Sequence, residues 1–200
     1  MSIVFDFDGV IVDSRSENIA TLNALAAKYG YEPITLERYT AMTQHNFYEY
    51  WQMLLGEHAK EFFTDIHMIS RAPGTLLPGM KEILLAHTPI IVSSNATPII
   101  KNTLSKYDIA LDVYGGDIDP SKVRKLGKVK QEPAIFVTDT PGDVHEGKIA
   151  GYTCIAVTWG FAPHEMLIAS RPEHIVHTPQ ELHELLLQLR GLEKEIELFR

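Results

Sequence analysis

Short, nearly continuous apolar runs recur along this chain. Four of them are rich in Ile and Val and cover residues 3–5, 89–92, 134–137 and 154–157. Strands that are buried on both faces of a sheet have this continuous apolar character, whereas half-exposed strands alternate between apolar and polar residues. A shorter run over residues 111–114 indicates one more strand. The pattern therefore predicts a sheet that is covered on both faces.

Segments with apolar residues at helical spacing separate these runs. Helices are predicted over residues 76–87, 98–107, 143–150 and 179–189, and a short extra helix over residues 191–200. Strands that alternate with helices are typical of an α/β fold with a doubly wound, Rossmann-like parallel sheet. Ligands bind such sheets at the carboxyl ends of the strands. Polar residues that directly follow the predicted strands are therefore the first candidates for a functional site.

Residues 16–70 interrupt the alternation of strands and helices. They contain no convincing strand, and four helical periods cover residues 18–29, 36–42, 47–55 and 59–69. We therefore predict an α-helical domain of residues 16–70, inserted into an α/β core that is formed by residues 1–15 and 71–200. Residues 71–74, with the sequence Arg-Ala-Pro-Gly, are predicted to be the hinge that returns the chain to the core.

Composition and charge limit the classes of function. With 45% hydrophobic and 22% charged residues, the chain has the composition of a soluble globular protein. The formal net charge is -8 and no segment forms a stripe of Lys and Arg, so nucleic acid is not expected as a partner. An anionic substrate would need a metal ion, a Lys or backbone N–H groups close to it.

The cysteine content and the apolar runs also bear on location. Cys154 is the single cysteine, so an internal disulfide cannot form and a reducing compartment is expected. It falls in a predicted buried strand and is interpreted as an inert core thiol. The sequence shows no pattern of a secretory leader and no apolar run long enough to span a bilayer. We therefore expect a cytoplasmic protein without a membrane partner.

The first predicted strand ends in two carboxylates. Asp6 and Asp8 stand two residues apart, so in an extended chain their side chains point to the same side. Mg²⁺ is commonly bound by one or two carboxylates together with water and a substrate phosphate. Gly9 allows a sharp turn and a close approach of the backbone to a ligand. A plain acidic loop or a calcium loop has similar residues, but the apolar lead-in, Gly9 and the later Asp13 together favour a catalytic pair.

Three further polar segments follow the later strands. Ser93-Ser94-Asn95 ends the second apolar run and would also serve as a helix cap. Residues 119–130 carry four lysines after an Asp-Pro-Ser helix start. Asp139 and Asp143 follow the next strand, and Asp143 would also serve as the N-cap of a helix.

In this order, the four segments resemble the motifs of the haloacid dehalogenase superfamily, and the resemblance covers residues 3–160. The helical insert resembles the small cap of the phosphoglycolate-phosphatase-like branch. The resemblance implies a Mg²⁺-dependent phosphatase in which Asp6 is the nucleophile and forms an aspartyl-phosphate. Asp8 would protonate the leaving oxygen and then activate water. The dehalogenases of the superfamily lack this second acid, so Asp8 favours a phosphatase.

The resemblance also implies the binding roles. The phosphoryl group would be bound by Gly9, Ser93, Ser94, Asn95 and Lys122. Mg²⁺ would be bound by Asp6, Asp8 and Asp139, and Asp143 would orient water or Lys122 from behind them. Among the candidates Lys122, Lys125, Lys128 and Lys130, the first stands at the helix start and is preferred, and most of the others are interpreted as a solvated helix face. The chain departs from the family pattern at Thr138, where Gly is usual.

The substrate is less constrained than the chemistry. By resemblance, Gln44, His45 and Asn46 would select the organic part of a small phosphorylated metabolite, of the phosphoglycolate or sugar-phosphate type. His45 is equally well a surface residue near a helix start, and Trp159 equally well packs in the core or faces the site. A phosphoglucomutase-like phosphotransferase and a non-catalytic phosphate-binding module are the alternatives. The sequence leaves the oligomeric state open.

Overall fold

A parallel sheet of six strands forms the centre of the computed structural model, which describes residues 1–68 and 74–198. The strands are β1 (Ser2–Phe5), β2 (Val12–Asp13), β3 (Thr75–Leu76), β4 (Ile90–Val92), β5 (Val113–Tyr114), β6 (Ala134–Thr138), β7 (Thr153–Val157) and β8 (His174–Val176). The order in the sheet is β5-β4-β1-β6-β7-β8, and every neighbouring pair is parallel. Because the strand order reverses at β1, the carboxyl ends of β1, β4 and β6 meet around one crevice.

Helices cover both faces of this sheet. They are α1 (Arg15–Lys28), α2 (Leu36–Met42), α3 (Phe47–Leu55), α4 (Ala59–Met68), α5 (Met80–His87), α6 (Thr97–Ser105), α7 (Lys122–Val129), α8 (Pro141–Ile149), α9 (His164–Ser170) and α10 (Pro179–Leu198). Phe5 faces an apolar cluster with α5, α6 and α10, whereas its neighbour Val4 faces a cluster with α7, α8 and α9. The predicted doubly wound parallel sheet is confirmed, and its two covered faces explain why the strands are apolar throughout.

The single cysteine lies inside the second of these clusters. Cys154 is fully buried on β7, and burial raises the pKa of its thiol to about 12. A thiol in such surroundings stays protonated at neutral pH and is a poor nucleophile. Its placement agrees with the interpretation of an inert core residue.

Helices α1 to α4 form a separate apolar cluster above the crevice, and this helical segment is called the cap below. Leu22, Leu25, Trp51 and Phe62 are at its centre, where the rings of Trp51 and Phe62 stack with centroids 4.5 Å apart. Phe161, which follows β7, is the core residue that joins this cluster. As expected, the described part of the segment 16–70 contains no strand.

Two short strands that were not predicted from the sequence connect the cap to the core. β2 and β3 pair antiparallel, with Val12 opposite Leu76 and Asp13 opposite Thr75. The helix that was predicted to begin at residue 76 therefore begins at Met80, after Leu76 has paired with β2. The predicted hinge falls largely on residues 71–73, which lie outside the described residues.

The C-terminal region also differs from expectation. α10 continues through Gly191 as far as Leu198, so residues 191–198 extend the preceding helix and the separate short helix was a wrong prediction. A single Gly inside a helix costs only about 1 kcal/mol relative to Ala, which packing can offset. The short elements α9 and β8 were not predicted. Within the described ranges, none of the helices combines the length and the apolar character that crossing a bilayer requires.

Candidate active site

A cavity lies between the carboxyl edge of the sheet and the cap. The core contributes a polar set of lining residues: Asp6, Asp8, Ser93, Ser94, Asn95, Lys122, Asp139, Thr140 and Asp143. The cap contributes Asn18, Leu22, Tyr39, Met42, Thr43, His45, Phe47, Ile66 and His67, and Phe161 joins them from the loop after β7. The topology thus brings together most of the side chains that the sequence singled out at four separate strand ends.

Asp6 lies directly after β1, where its backbone N–H continues the ladder to Val137 O at 2.9 Å. One carboxylate oxygen accepts a hydrogen bond from Phe7 N at 2.8 Å, and the other accepts one from Lys122 Nζ at 3.1 Å. Burial raises the pKa of Asp6 well above its ordinary value, although Lys122 opposes the shift. The ionised form of Asp6 therefore depends on nearby positive charge.

Lys122 bridges two carboxylates. Its Nζ donates to Asp143 Oδ2 at 2.6 Å and to Asp6 Oδ2 at 3.1 Å, and the residue is buried. Burial alone would lower the pKa of Lys122, but Asp143 and Asp6 outweigh it and the net shift is upward. Ser121 caps α7 through a hydrogen bond from Arg124 N, which places Lys122 at the first helical position. The preferred lysine thus lies in the site as a permanent cation.

The other candidate lysines lie in different surroundings. Lys125 is fully buried, its Nζ donates to Ser93 O at 2.7 Å, and burial lowers its pKa to about 8. Lys128 and Lys130 lie nearer the surface and pair with Asp119 at 3.8 Å and with Glu132 at 2.7 Å. The interpretation of a solvated face is therefore wrong for Lys125. Lys125 shares a helix face with the buried Val129, four positions later, but a lysine at this spacing is equally common on a solvated face, so the pattern did not reveal its burial.

Asp139 and Asp143 have distinct environments. Asp139 follows β6 and is fully buried; its Oδ2 accepts from Phe161 N at 2.7 Å, and its Oδ1 has no hydrogen-bond partner among the described residues. Burial raises the pKa of Asp139 to about 7. Asp143 accepts from Thr138 Oγ1 at 3.0 Å as well as from Lys122. The residue at the usual Gly position therefore helps to hold Asp143.

Thr140, and not Asp143, caps α8. The Thr140 side chain accepts a hydrogen bond from Asp143 N at 3.3 Å, and Asp143 itself lies in the first turn. The carboxylate of Asp143 is therefore available to Lys122 and Thr138. Of the two roles that the sequence allowed for Asp143, the structure excludes the cap.

Asp8 is held by polar side chains from two sides. Its Oδ1 accepts from Ser14 Oγ at 2.6 Å, and its Oδ2 accepts from Asn95 Nδ2 at 2.9 Å. Asn18 Nδ2 lies 3.5 Å from the same Oδ1. Ser14 and Asn18 were not predicted as site residues, because a polar residue at the start of a helix is usually a cap. Asn95 was predicted as a phosphate ligand, and in this structure its amide orients Asp8.

Gly9 contributes shape to the site. It adopts φ +79, and a Cβ on it would lie 2.1 Å from Asp139 Oδ2. Its N–H donates to Val12 O at 2.9 Å, and Gly9 is not among the residues that line the cavity in the described parts of the chain. The close approach of Gly9 to Asp139 is thus the physical reason for glycine here. Its role as a phosphate ligand stays a prediction.

The three predicted selecting residues occupy different places. Gln44 and His45 are both exposed, but His45 lines the cavity whereas Gln44 is absent from the described lining. Asn46 is buried; its Oδ1 caps α3 by accepting from Tyr48 N, and its Nδ2 donates to Glu146 Oε1 at 2.9 Å. Asn46 therefore fastens the cap to α8. A selecting role remains a prediction for His45 and has no support in the position of Gln44.

Several lining residues escaped the sequence analysis. Leu22, Tyr39, Phe47 and Ile66 show the helical spacing of ordinary core residues, so no signal in the pattern distinguishes them. Phe161 also lines the cavity, whereas Trp159 does not belong to its described lining and donates its indole N–H to Val10 O at 3.2 Å. Of the two roles open for Trp159, packing is the one observed.

Comparison with known proteins identifies the family to which this arrangement belongs. The model of the haloacid dehalogenase-like hydrolase family matches residues 3–157. The chain belongs to this family. Among curated relatives, the phosphoglycolate phosphatase of Synechococcus elongatus is 29% identical over 209 residues, covering 94% of this chain and 98% of its own. Among solved structures, a predicted phosphatase from Clostridium acetobutylicum has a TM-score of 0.76 at 20% identity, covering 94% of this chain and 98% of its own.

A haloacid dehalogenase-like family hydrolase from Streptococcus pneumoniae has the same fold, with a TM-score of 0.70 at 19% identity and coverage of 92% of this chain and 97% of its own. Likenesses at this level of identity show the fold. Together with the family match and the curated relatives, they confirm the predicted superfamily and the predicted enzyme class, a phosphatase of the haloacid dehalogenase-like type.

The acidic residues fit the metal that this family implies. Asp139 Oδ1 is a buried carboxylate oxygen without a hydrogen-bond partner in the part of the chain that the structure describes, and such an atom is costly unless a cation binds it. The described residues contain no cluster of three or more His, Cys, Asp and Glu side chains around a potential metal position. Mg²⁺ keeps several waters and needs only one or two carboxylates, so this sparse set suits it better than Zn²⁺.

Proposed function

We propose that this chain hydrolyses a small-molecule phosphate monoester with the help of Mg²⁺, through an aspartyl-phosphate on Asp6. The observation that carries the proposal is the buried bridge in which Lys122 Nζ contacts Asp6 at 3.1 Å and Asp143 at 2.6 Å. The bridge holds the Asp6 carboxylate at the cavity beside the ammonium of Lys122. A carboxylate that attacks a phosphate dianion needs such a cation, because the two reacting groups carry the same sign of charge. The curated relatives that are named phosphoglycolate phosphatase support a small substrate.

In the first step, an oxygen of Asp6 attacks the phosphorus and the ester P–O bond breaks. The electron pair of that bond goes to the leaving oxygen, which takes a proton from the carboxyl of Asp8. Lys122 neutralises charge on the phosphoryl oxygens while Asp143 holds its ammonium in place. Bound Mg²⁺, held by Asp6 and Asp139, would offset the negative charge that gathers between nucleophile and phosphate.

In the second step, Asp8 takes a proton from water, and the water oxygen attacks the phosphorus. The bond between phosphorus and Asp6 breaks, so inorganic phosphate is released and both carboxyl groups return to their starting states. The two hydrogen bonds from Ser14 and Asn95 fix Asp8 in one orientation for both proton transfers. Water must be kept out during the first step, and the cap lies over the cavity in the position to do so.

The test compares Asp6→Asn with Asp13→Asn in the intact chain. We expect Asp6→Asn to abolish phosphate release, because an amide cannot form the acyl phosphate. Asp13 is an exposed carboxylate on β2 and its substitution is expected to leave turnover within about twofold. The measurement is free phosphate from a panel of esters with Mg²⁺, repeated with excess chelator, and circular dichroism verifies the fold. Near wild-type turnover in Asp6→Asn, or full activity in chelator, contradicts the mechanism.

The same assay separates the alternatives. A phosphoglucomutase-like phosphotransferase would move the phosphoryl group to a second hydroxyl and release little free phosphate. A phosphate-binding module would bind phosphate but turn over none of the esters. The intact set of Asp6, Asp8 and Lys122 at one cavity favours an enzyme over a phosphate-binding module, because binding alone needs no carboxylate next to the phosphate.

A further inference from the structure

Apolar side chains form a large part of the cap side of the cavity. Six residues form what is called the apolar wall: Leu22, Tyr39, Met42, Phe47, Ile66 and Phe161. Five of them are buried, and Phe47 is half-buried. The polar machinery of the core contacts the transferred phosphoryl group, so the organic part of the substrate must lie against this wall. The chemistry of the wall therefore bears on the substrate class.

The cavity offers little to an organic anion. Lys122 is the one Lys or Arg in the described lining, and Asp6 and Asp143 already engage it. His67 shares a hydrogen bond of 2.8 Å with the hydroxyl of Tyr48, which in turn donates to Ser94 O. A carboxylate such as that of phosphoglycolate would lose its hydration in this cavity, and no further Lys or Arg of the described lining would pair with it. Burial of such an unpaired charge is unfavourable in free energy.

The cap side of the cavity is equally unsuited to a substrate with many hydroxyl groups. Thr43 Oγ1 donates to Thr40 O at 2.7 Å, and Asn18 Nδ2 lies within hydrogen-bond reach of Asp8, Ser14 and Tyr39. Thr43 and Asn18 are therefore engaged inside the protein. Sugar hydroxyl groups would exchange water for apolar neighbours, and each uncompensated group lowers affinity.

The apolar wall is also fixed in place next to the catalytic groups. The rings of Tyr39 and Phe161 meet edge to face with centroids 5.6 Å apart, and the guanidinium of Arg15 lies over the Phe161 ring at 5.5 Å. The N–H of Phe161 donates to Asp139 Oδ2. An apolar group that packs on Phe161 is thus positioned relative to the acidic site itself.

We infer that the substrate is a phosphate monoester of an apolar alcohol, aromatic or branched aliphatic, and that the apolar wall selects it. The inference rests on the proposed phosphatase function and names its substrate class. It departs from the phosphoglycolate and sugar-phosphate classes that the family resemblance suggested. Burial of apolar surface against these six side chains supplies the binding energy, and the lack of a Lys or Arg other than Lys122 in the described lining disfavours acidic competitors.

The experiment measures kcat/KM for benzyl phosphate, phosphoglycolate and glycerol phosphate, which are all alkyl esters, so the leaving group does not dominate the comparison. We expect benzyl phosphate to be preferred over each of the others by at least about tenfold. Phe47→Ala should lower this preference severalfold. Met53→Ala is the matched control on the same helix, because Met53 is exposed outside the cavity, and it should leave the preference unchanged.

Two outcomes overturn the inference while leaving the proposed phosphatase function intact. One is a preference of the wild-type protein for phosphoglycolate or glycerol phosphate, and the other is an equal effect of Phe47→Ala and Met53→Ala. A binding assay keeps the test decisive if turnover is slow. Calorimetry on Asp6→Asn should show tighter binding of benzylphosphonate than of phosphonoacetate, and the reverse order contradicts an apolar wall. Failure of every ester to release phosphate would instead contradict the proposed function.

Discussion

Lys122 in the core and Trp51 in the cap are both almost fully buried, but different interactions hold them. Lys122 is fixed by two carboxylates at 2.6 and 3.1 Å, so its environment depends on a few strong charge contacts. Trp51 stacks on Phe62 inside a cluster of apolar side chains, where many weak contacts share the stabilisation. Single substitutions should therefore have large effects on activity on the core side of the cavity and graded effects on the cap side.

Lys122→Ala should show the largest effect in this comparison. It leaves Asp6 and Asp143 as buried carboxylates without their shared cation, and we expect turnover to fall about 10²–10³-fold. Lys128→Ala is the matched control on the same helix. Lys128 is exposed, and its Nζ lies 3.8 Å from Asp119 Oδ2. Its loss should change turnover by less than about twofold. The measurement is the steady-state rate of phosphate release from both variants. If both lose the same small fraction of their turnover, Lys122 is not the catalytic cation.

Asp8→Ala should rank second, because its effect depends on the substrate. Loss of the proton donor is expected to slow esters with poor leaving groups by about 10²-fold. An activated aryl phosphate, whose leaving oxygen needs no proton, should lose much less. The measurement is kcat for an alkyl and an aryl ester in the same preparation. A uniform loss for both esters would show that Asp8 supports the site without transferring the proton.

The contrast between core and cap also explains which residues of the site could be predicted from the sequence. Asp6, Asp8 and Asp139 were predictable because carboxylates at the ends of buried strands have few physical justifications other than a cation or a reaction. Lys122 was predictable from its place at a helix start, but Lys125 was misinterpreted because its burial depends on where α7 packs. Tertiary contact, and not local pattern, decides such cases.

The cap side was much less predictable. Leu22, Phe47 and Ile66 line the cavity, yet their spacing is that of any amphipathic helix, and the same apolar residues serve a core or a substrate. The pair of β2 and β3 was missed because strands of two residues carry no periodic signal. Asn46 was assigned to the substrate because a polar residue in a cap loop has no visible partner until Glu146, 100 positions later, is brought next to it.

A smaller effect is expected for His45 at the rim of the apolar wall. His45 lines the cavity and stacks on Tyr50 with ring centroids 6.0 Å apart. His45→Ala should change the ratio of kcat/KM between two alkyl esters by a few-fold, with little change for acetyl phosphate. Gln44→Ala, one position earlier and exposed, should leave the ratio as it is. If both substitutions act alike, the loop contributes through the position of the cap and not through contact with the substrate.

The smallest effect is expected for His87, a buried histidine far from the cavity. Its substitution tests whether a titratable group elsewhere in the core changes stability without changing turnover. His87 Nε2 and His183 Nδ1 lie 2.9 Å apart, and Arg190 donates to His87 O at 2.9 Å. Burial, together with the charges of Arg190 and His183, lowers the pKa of His87 to about 4. An unfolded His titrates near 6.5, so between about pH 6.5 and 4 the unfolded chain binds more protons at this position than the folded chain.

The contribution of His87 to the free energy of unfolding must therefore decrease as the pH falls through that window, and it is constant above about pH 6.5. His87→Gln removes the titration and should flatten the decline of Tm between pH 7 and pH 4.5 by a few degrees, since 1 kcal/mol corresponds to roughly 2–4 °C in a chain of this size. Glu184→Gln, an exposed carboxylate next to His183, is a surface control. Turnover at pH 7 should be unaffected by either substitution, because neither residue lines the cavity in the described chain. An unchanged pH slope in His87→Gln would show that the pair is protonated or opens to solvent in the folded state, and a loss of turnover would link this remote pair to the catalytic edge of the sheet.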